Sequence, residues 1–262
     1  METLVYLILA ISILYLFGGI ILWFGQNKLI YLPDPLPNNF AFSFQTDFEE
    51  FTFNSPTGNN LNCLLFKTQL SCKGIVLYHH GNSHNLSLWG YEAESFLKNG
   101  YNVLMYDYPT YGKSTGSLEI KLLFKDAKHL YSSIESYPRV INYGRSLGTG
   151  IALHLASQTP SISSTILETP YFSMKKMAET FVSIYPLQLL LRQRIKSYQY
   201  IKKVKGTVCI FHGTDDELIP HKQAVLLAKQ NKNCKLYTIE GATHNDIPLH
   251  QSYQETLDLL LR

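Results

Sequence analysis

The stretch Val140-Ile141-Asn142-Tyr143-Gly144-Arg145-Ser146-Leu147-Gly148-Thr149-Gly150-Ile151 decides how this chain folds. It passes from a short apolar segment, through the pattern Gly-x-Ser-x-Gly, into residues with helical spacing, and this order predicts a strand, a sharp turn and a helix. Glycine at 144 and 148 removes side chains that would clash with a serine in strained backbone. We therefore expect the Ser146 hydroxyl to project above a sheet, with the N–H of Leu147 facing a developing oxyanion.

Length and composition predict one large globular domain or two small ones. The chain has 262 residues, 45% of them hydrophobic and 13% aromatic, which is enough to form a sizeable core. A formal charge of +3, without a recognisable nucleic-acid module, argues against nucleic acid as a partner. The four cysteines are too sparse for a disulfide scaffold and lack metal-site spacing, while the pairing of Cys63 with Cys72 stays open.

Residues 4–24 form an uncharged apolar run that predicts a membrane crossing. As a helix these 21 residues span about 31 Å, against a hydrocarbon core of about 30 Å. Glu2 precedes the run and no small-residue cleavage site follows it, so we expect an uncleaved anchor over residues 1–26 rather than a signal peptide. Lys28 is the only basic residue close to either end, which slightly favours a cytoplasmic domain and leaves the side of the membrane open.

The proline-containing segment 27–46 is predicted to be a non-helical tether, with Pro33, Pro35 and Pro37 in its middle. A domain over residues 47–262 follows, beginning with a hairpin of strands at 48–53 and 61–66. Apolar runs then alternate with helical patterns, which predicts a mostly parallel sheet with helices on both faces. The predicted later strands are 74–79, 102–106, the strand before Ser146, 164–167, 207–211 and 235–239; the predicted helices are 86–98, 118–136, the one after Ser146, 223–230 and 251–262.

A connection of about 40 residues, at about 169–205, is too long for an ordinary loop and predicts a small helical cap. Its apolar positions have helical spacing, which suits either packing on the domain or a wall for an acyl chain. Six basic residues follow without an acidic one, and they form either a solvated face or a surface for anionic headgroups. The apolar positions are Phe172, Met174, Met177, Phe181 and Ile184; the basic ones are Arg192, Arg194, Lys196, Lys202, Lys203 and Lys205.

Ser146 needs a general base, and the base needs an acid that orients it. Three acidic residues, Asp215, Asp216 and Glu217, follow the strand 207–211, and spacing does not choose among them. His244 follows the strand 235–239. Functional groups of a parallel sheet gather beyond the carboxyl ends of its strands, so we expect these residues to meet Ser146 there. The order Ser, Asp, His is the one that α/β-hydrolases use.

The segment His80-Gly81-Asn82 ends the first apolar strand with a glycine turn, and the N–H of Asn82 is the expected second oxyanion donor. With these motifs the chain resembles the membrane-anchored serine hydrolases of the α/β-hydrolase-domain superfamily, including the acyl-protein thioesterases that remove palmitate. The resemblance covers nearly the whole chain from Lys28 onward and implies the α/β-hydrolase fold. The family's acid motif, His-Gly-x-x-Asp, places the acid at Asp216, and its Gly-x-x-His-Asn motif places the base at His244.

The chain departs from the family pattern near the expected site. Ser83 and His84 replace a small residue and a glycine, so His84 either lines the entrance or faces solvent. Pro109 and Thr110 stand within the motif that begins at Asp107, where we expect a reshaped loop. Asp107 is expected to stabilise a turn rather than to take part in catalysis.

These observations predict a serine hydrolase that cleaves an ester or thioester of a lipophilic acyl group through Ser146, His244 and Asp216. The expected partners are a small-molecule or lipid-linked acyl substrate and, through the N-terminal helix, the lipid bilayer; protein partners stay open. No metal and no organic cofactor is implied. The alternatives are a serine peptidase with the same machinery and a catalytically silent membrane scaffold.

Overall fold

The computed structural model describes residues 1–262 and places a twisted sheet between two layers of helices. The strands are β1 (Leu32–Pro33), β2 (Phe48–Asn54), β3 (Asn60–Phe66), β4 (Gly74–His79), β5 (Ser83–His84), β6 (Tyr101–Tyr106), β7 (Val140–Arg145), β8 (Ser164–Glu168), β9 (Thr207–Gly213) and β10 (Cys234–Ile239). The α-helices are α1 (Glu2–Ile30), α2 (Leu86–Trp89), α3 (Glu94–Leu97), α4 (Ile120–Ile134), α5 (Leu147–Gln158), α6 (Met174–Phe181), α7 (Leu187–Leu190), α8 (Ser197–Tyr200), α9 (Lys222–Ala228) and α10 (Gln251–Leu260). Single 3₁₀ turns lie at Gly90–Ala93, Ile201–Lys203 and Ile247–Leu249.

Eight strands form one sheet in the order β10-β9-β8-β7-β4-β6-β3-β2. β2 and β3 form an antiparallel hairpin, and β3 is also antiparallel to β6. All remaining pairs are parallel, so the carboxyl ends of β4, β7, β8, β9 and β10 lie at one edge. This topology confirms the predicted fold class.

The central strands are apolar on both faces because helices cover both faces. In β4 the side chains of Ile75 and Leu77 pack on one side, in the core formed with α4, α5 and α9. Val76 and Tyr78 point to the other side, in the core formed with α2, α3 and α10. Alternate residues of a strand face opposite ways, and for that reason a continuous apolar run marks a strand buried on both faces.

Helix α1 runs four residues beyond the predicted anchor, and the prediction that non-helical chain begins at residue 27 is wrong. The Tyr31 N–H donates to the carbonyl of Asn27 (2.9 Å), which closes the last helical turn. Pro33 disfavours helical backbone at Leu32 and cannot donate a helical hydrogen bond, but it does not prevent the helix from reaching Ile30; the chain becomes extended at Tyr31. The next residues form β1, a short strand parallel to β5 that the sequence did not predict. α1 is long and apolar enough to cross a membrane, with a mean hydropathy of 2.6 over its most apolar window.

The region predicted as one helix over 86–98 is broken into α2, a 3₁₀ turn and α3. The break lies at Gly90, where a Cβ would come within 2.3 Å of the Phe44 ring. The Phe44 ring packs edge-on against Phe66 of β3 and against Tyr91 of the 3₁₀ turn, and the backbone is tighter at this contact. Packing from a distant segment therefore decides the local helix type.

The cap insertion between β8 and β9 contains only short helices. α6 ends at Phe181, five residues before Pro186, and Ile184 lies outside the helical face predicted for it. The six basic side chains that follow are all exposed. All four cysteines are free, so Cys63 and Cys72 do not pair.

Candidate active site

Ser146 lies in the turn between β7 and α5 with the strained backbone that the sequence predicts. Its φ of 49° lies in the left-handed region, which residues with a side chain rarely adopt. The Ser146 N–H donates to the carbonyl of Glu168 (2.9 Å), at the end of the neighbouring strand β8. A Cβ on Gly148 would lie 2.0 Å from the carbonyl oxygen of His79, so only glycine lets α5 begin this close to the end of β4.

His244 and Asp216 extend a chain of hydrogen bonds from the Ser146 hydroxyl. The His244 Nε2 atom lies 3.1 Å from Ser146 Oγ, and His244 Nδ1 lies 2.8 Å from Asp216 Oδ2. A carboxylate only accepts hydrogen bonds, so Nδ1 carries the proton and Nε2 is left to accept from the hydroxyl. The structure thus brings the three predicted side chains together at the carboxyl edge of the sheet.

Burial distinguishes Asp216 from its two acidic neighbours. Asp215 and Glu217 are exposed, whereas the side chain of Asp216 is fully buried. Its Oδ1 accepts hydrogen bonds from the N–H groups of Leu218 (3.0 Å) and Ile219 (2.7 Å), which leaves Oδ2 directed at the histidine. The backbone turn after β9 therefore orients this carboxylate.

The pKa of Asp216 lies well below its usual range. Burial alone would raise this pKa, but hydrogen bonds from His212 and His244, the charge of His244 and the Ile219 N–H outweigh the burial. His212 Nε2 lies 3.2 Å from Asp216 Oδ2 and also 2.7 Å from the carbonyl oxygen of Ile219. Asp216 is consequently a carboxylate throughout the neutral range, as an orienting acid requires.

The two expected oxyanion donors, the N–H groups of Asn82 and Leu147, have no acceptor within the chain. Both residues line the cavity above Ser146. Two hydrogen bonds stabilise the turn at Asn82. The Asn82 carbonyl accepts one from the Leu32 N–H (2.8 Å) and one from the Tyr111 hydroxyl (2.7 Å). The Asn82 side-chain amide also donates to the carbonyl of Ile30 (3.1 Å), the last residue of α1.

A cavity of about 710 Å³ opens above Ser146 and His244. This volume lies within the roughly 300–1,000 Å³ typical of small-molecule sites. Most lining residues are hydrophobic, no Asp or Glu is among them, and the cap supplies one wall. The cap residues are Tyr171, Met174, Met177, Ala178, Phe181, Val182, Leu187, Leu190 and Leu191.

The chain is similar to known proteins that are described as hydrolases. Residues 71–200 match the family described as serine aminopeptidase, S33. The chain is 27% identical over 243 residues to human alpha/beta hydrolase domain-containing protein 17B, covering 89% of this chain and 82% of that protein. The protein of the same name from Xenopus laevis is 28% identical over the same length and the same shares.

Solved structures show the same fold. The esterase Pf2001 from Pyrococcus furiosus superposes with a TM-score of 0.69 at 20% identity, covering 88% of this chain and 98% of that one. Est1E from Butyrivibrio proteoclasticus, with ferulic acid bound, has a TM-score of 0.65 at 20% identity, covering 80% of this chain and 96% of that one. This chain has the α/β-hydrolase fold.

Four residues depart from the pattern of the similar hydrolases: Ser83, His84, Pro109 and Thr110. Of these, only Ser83 lines the cavity. His84 is exposed and is not a lining residue, which agrees with the solvent-facing alternative. Thr110 adopts a φ of 74° in the loop that follows Asp107. Asp107 is buried and accepts from the Leu86 N–H (3.1 Å), as expected of a turn-stabilising carboxylate.

Sequence reasoning missed Arg145, the residue before Ser146, which ties the hydrolase site together. Its guanidinium Nε lies 3.1 Å from the fully buried carboxylate of Glu168. One Nη lies 3.3 Å from Glu92, and the other donates to the carbonyl of Asn245 (3.2 Å), next to His244. The only signal in the sequence was a charge inside an otherwise uncharged strand and turn.

Glu168 and Glu92 both form ion pairs with the guanidinium group of Arg145. The Glu168 carboxylate also accepts from the hydroxyls of Tyr143 and Tyr253. Burial first, and then the negative charge of Glu168, raises the pKa of Glu92 to about 7, although Arg145 opposes the shift. The guanidinium therefore holds two carboxylates and the His244 loop against the turn that carries Ser146.

We expect Arg145→Gln to destabilise the hydrolase strongly, because Glu168 would stay buried without its cation. Removing one partner of a buried pair costs about 3–5 kcal/mol. Lys98→Gln is the matched control, because it breaks an exposed pair with Asp258 that is worth about 0.2–1 kcal/mol. Urea unfolding of the full-length protein in detergent compares the two; equal losses would contradict a supporting role for Arg145.

Proposed function

We propose that the chain is a serine hydrolase that cleaves carboxylic esters or thioesters of lipophilic acyl groups. The observation that carries the proposal is the Ser146 hydroxyl, 3.1 Å from His244 Nε2, at the base of a mostly apolar cavity. A hydroxyl beside an oriented imidazole is the arrangement that acyl transfer requires. The apolar walls suit an acyl chain rather than a polar substrate.

In the proposed reaction Ser146 Oγ attacks the carbonyl carbon of the substrate while His244 Nε2 accepts the hydroxyl proton. The N–H groups of Leu147 and Asn82 donate to the oxyanion, and Asp216 stabilises the imidazolium. His244 then gives its proton to the leaving alcohol or thiol, and an acyl group stays on Ser146. A water molecule, deprotonated by His244, releases the acid and restores the serine.

The family description of a serine aminopeptidase raises a second candidate, a peptidase. An aminopeptidase must hold the positively charged amino terminus of its substrate. No Asp or Glu lines the cavity, and the one charged lining residue, Arg145, is a cation. An ester substrate is thus the better fit, and relative rates on an acyl ester and an aminoacyl amide separate the candidates.

The proposal gives the chain three parts. α1 is a single-pass membrane anchor, the proline-containing segment links it to the domain, and the hydrolase domain begins near residue 47 with the cap at about 169–205. Exposed apolar side chains over most of α1 support the anchor, since only 6% of its most apolar window is buried. Lys28 slightly favours a cytoplasmic domain, and the side of the membrane stays open.

Labelling with a fluorophosphonate probe tests the nucleophile. We expect the full-length protein to be labelled, because an activated serine attacks the phosphorus, and we expect Ser146→Ala to abolish labelling. Ser83→Ala is the matched control, since this second cavity serine has no partner histidine and its loss leaves labelling intact. A protein that takes up no probe would instead support the silent membrane scaffold.

Replacing Asp216 with asparagine tests the orienting acid. An amide donor facing Nδ1 favours the wrong histidine tautomer, and we expect kcat on a soluble ester to fall by about 10³–10⁴-fold. Asp215→Asn is the control, because that carboxylate is exposed and bonds only to the Thr214 hydroxyl. Steady-state kinetics of both variants decide the point: a loss of less than tenfold in Asp216→Asn would be inconsistent with this role.

A further inference from the structure

The N-terminal helix takes part in forming the cavity above Ser146. Leu22, Gln26, Leu29 and Ile30, spaced to lie on one face of α1, are lining residues of this cavity. The opposite wall comes from the cap helices α6 and α7. The cavity is therefore a cleft between a membrane-crossing helix and the cap, rather than a pocket within the hydrolase domain alone.

Hydrogen bonds fix α1 to the cap beside this cleft. Gln26 is the one buried residue of α1, and its side chain bonds to cap backbone in both directions. Its Oε1 accepts from Arg192 N–H (2.7 Å), and its Nε2 donates to the carbonyl of Leu190 (3.2 Å). Asn27 Oδ1 then accepts from the Gln193 side chain (2.8 Å). A polar residue in an apolar helix is costly without such partners, so this contact is specific.

A second contact lies much farther into the apolar part of α1. The Tyr15 ring stacks on the Tyr185 ring with centroids 4.7 Å apart, and each hydroxyl donates to the carbonyl of a residue on the other side. Tyr15 lies nine residues before Phe24, where the apolar run ends, which is about 14 Å along the helix. A hydrocarbon core is about 30 Å thick, so a membrane-spanning α1 carries Tyr185 deep into one leaflet.

The cap side chains around Tyr185 suit that depth. Phe181, Ile184 and Leu189 are 67%, 72% and 70% exposed, which leaves an apolar surface beside α1, with Phe181 also lining the cleft. Nearer the end of the helix, the Arg192 guanidinium lies 5.9 Å from the Trp23 ring, a cation and aromatic pair typical of the interface between lipid and water. The cap residue next to Trp23 is therefore suited to the membrane interface, and the cap residue next to Tyr15 is suited to the hydrocarbon core.

We propose that the cap loop 182–186 inserts into the leaflet that surrounds the C-terminal half of α1, and that the cleft between the cap and α1 admits acyl chains directly from the bilayer. The inference rests on the proposed function and narrows it: the substrate is an ester or thioester whose long acyl chain stays in the leaflet. The acyl chain of the substrate lies along the face of α1 that contains Leu22, while the carbonyl group of the substrate reaches Ser146. Water-soluble short esters enter without using this route.

A bulky residue at the distal end of the cleft tests the route. Leu22 lies eight residues, or about 12 Å, from Ile30, which contacts the oxyanion turn. In full-length protein in phosphatidylcholine vesicles, we expect Leu22→Trp to lower the rate on a bilayer-embedded palmitoyl thioester, relative to a soluble butyrate ester, at least tenfold. Ile21→Trp is the matched control, because Ile21 faces away from the cleft, and it keeps the wild-type ratio.

The outcomes separate this inference from the proposed function. If the wild-type protein hydrolyses neither the palmitoyl thioester nor the butyrate ester, the proposed function is wrong, and the inference that rests on it is wrong as well. If the wild-type protein hydrolyses both and Leu22→Trp keeps the wild-type ratio, the hydrolase stands and the lateral route is wrong.

Insertion of the cap has a readout that does not depend on catalysis. A nitroxide on Ile184→Cys, in a Cys72→Ser background and in vesicles, should be more accessible to oxygen than to a water-soluble nickel chelate. Leu70→Cys, in an exposed loop at the opposite edge of the sheet, should show the reverse. The same water-exposed pattern at both positions would overturn the insertion of the cap.

Discussion

The site depends on one steric constraint, the close approach of α5 to the end of β4 at Gly148. Because no Cβ intervenes, the helix begins against the carbonyl of His79, and Ser146 is forced into left-handed backbone between strand and helix. This strain points the hydroxyl away from the sheet and leaves the N–H of Leu147 without an acceptor. Neighbouring parallel strands then need only end in the appropriate residues for a nucleophile, a base and an acid to meet.

Buried charge stabilises this strained turn. Arg145 and Glu168 form an ion pair directly beneath Ser146, while hydrogen bonds hold Asp216 as a carboxylate on the far side of His244. The side chains of Arg145, Glu168 and Asp216 are all buried, so water does not replace their partners. The site is consequently held by buried hydrogen bonds where it orients the histidine, and it is apolar where the cavity opens.

Much of this arrangement could be predicted from local sequence. Apolar runs gave the strands to within a residue or two, and the residues after those runs gave Ser146, Asp216 and His244. The choice of Asp216 over Asp215 required the resemblance to known hydrolases, since it depends on which carboxylate the turn after β9 buries.

What could not be predicted depends on contacts between distant segments. Gln26 meets Leu190 across 164 residues, and Phe44 fills the space at Gly90; neither pairing leaves a local pattern. The predicted end of α1 was four residues too early. The prolines that begin at Pro33 were taken to exclude helix from residue 27 onward, but the helix continues to Ile30. The role of α1 as a wall of the cavity was likewise invisible, since its apolar residues are explained equally well by lipid alone.

The most direct test of the central claim is to trap the acyl group on the protein. Full-length protein is mixed with a long-chain activated ester, quenched in acid within milliseconds to seconds, and analysed by intact-protein and peptide mass spectrometry. The account predicts a mass increase of one acyl group, located on the peptide that contains Ser146 and lost as turnover finishes. Ester hydrolysis without an adduct, or an adduct on any other residue that keeps pace with turnover, would contradict it.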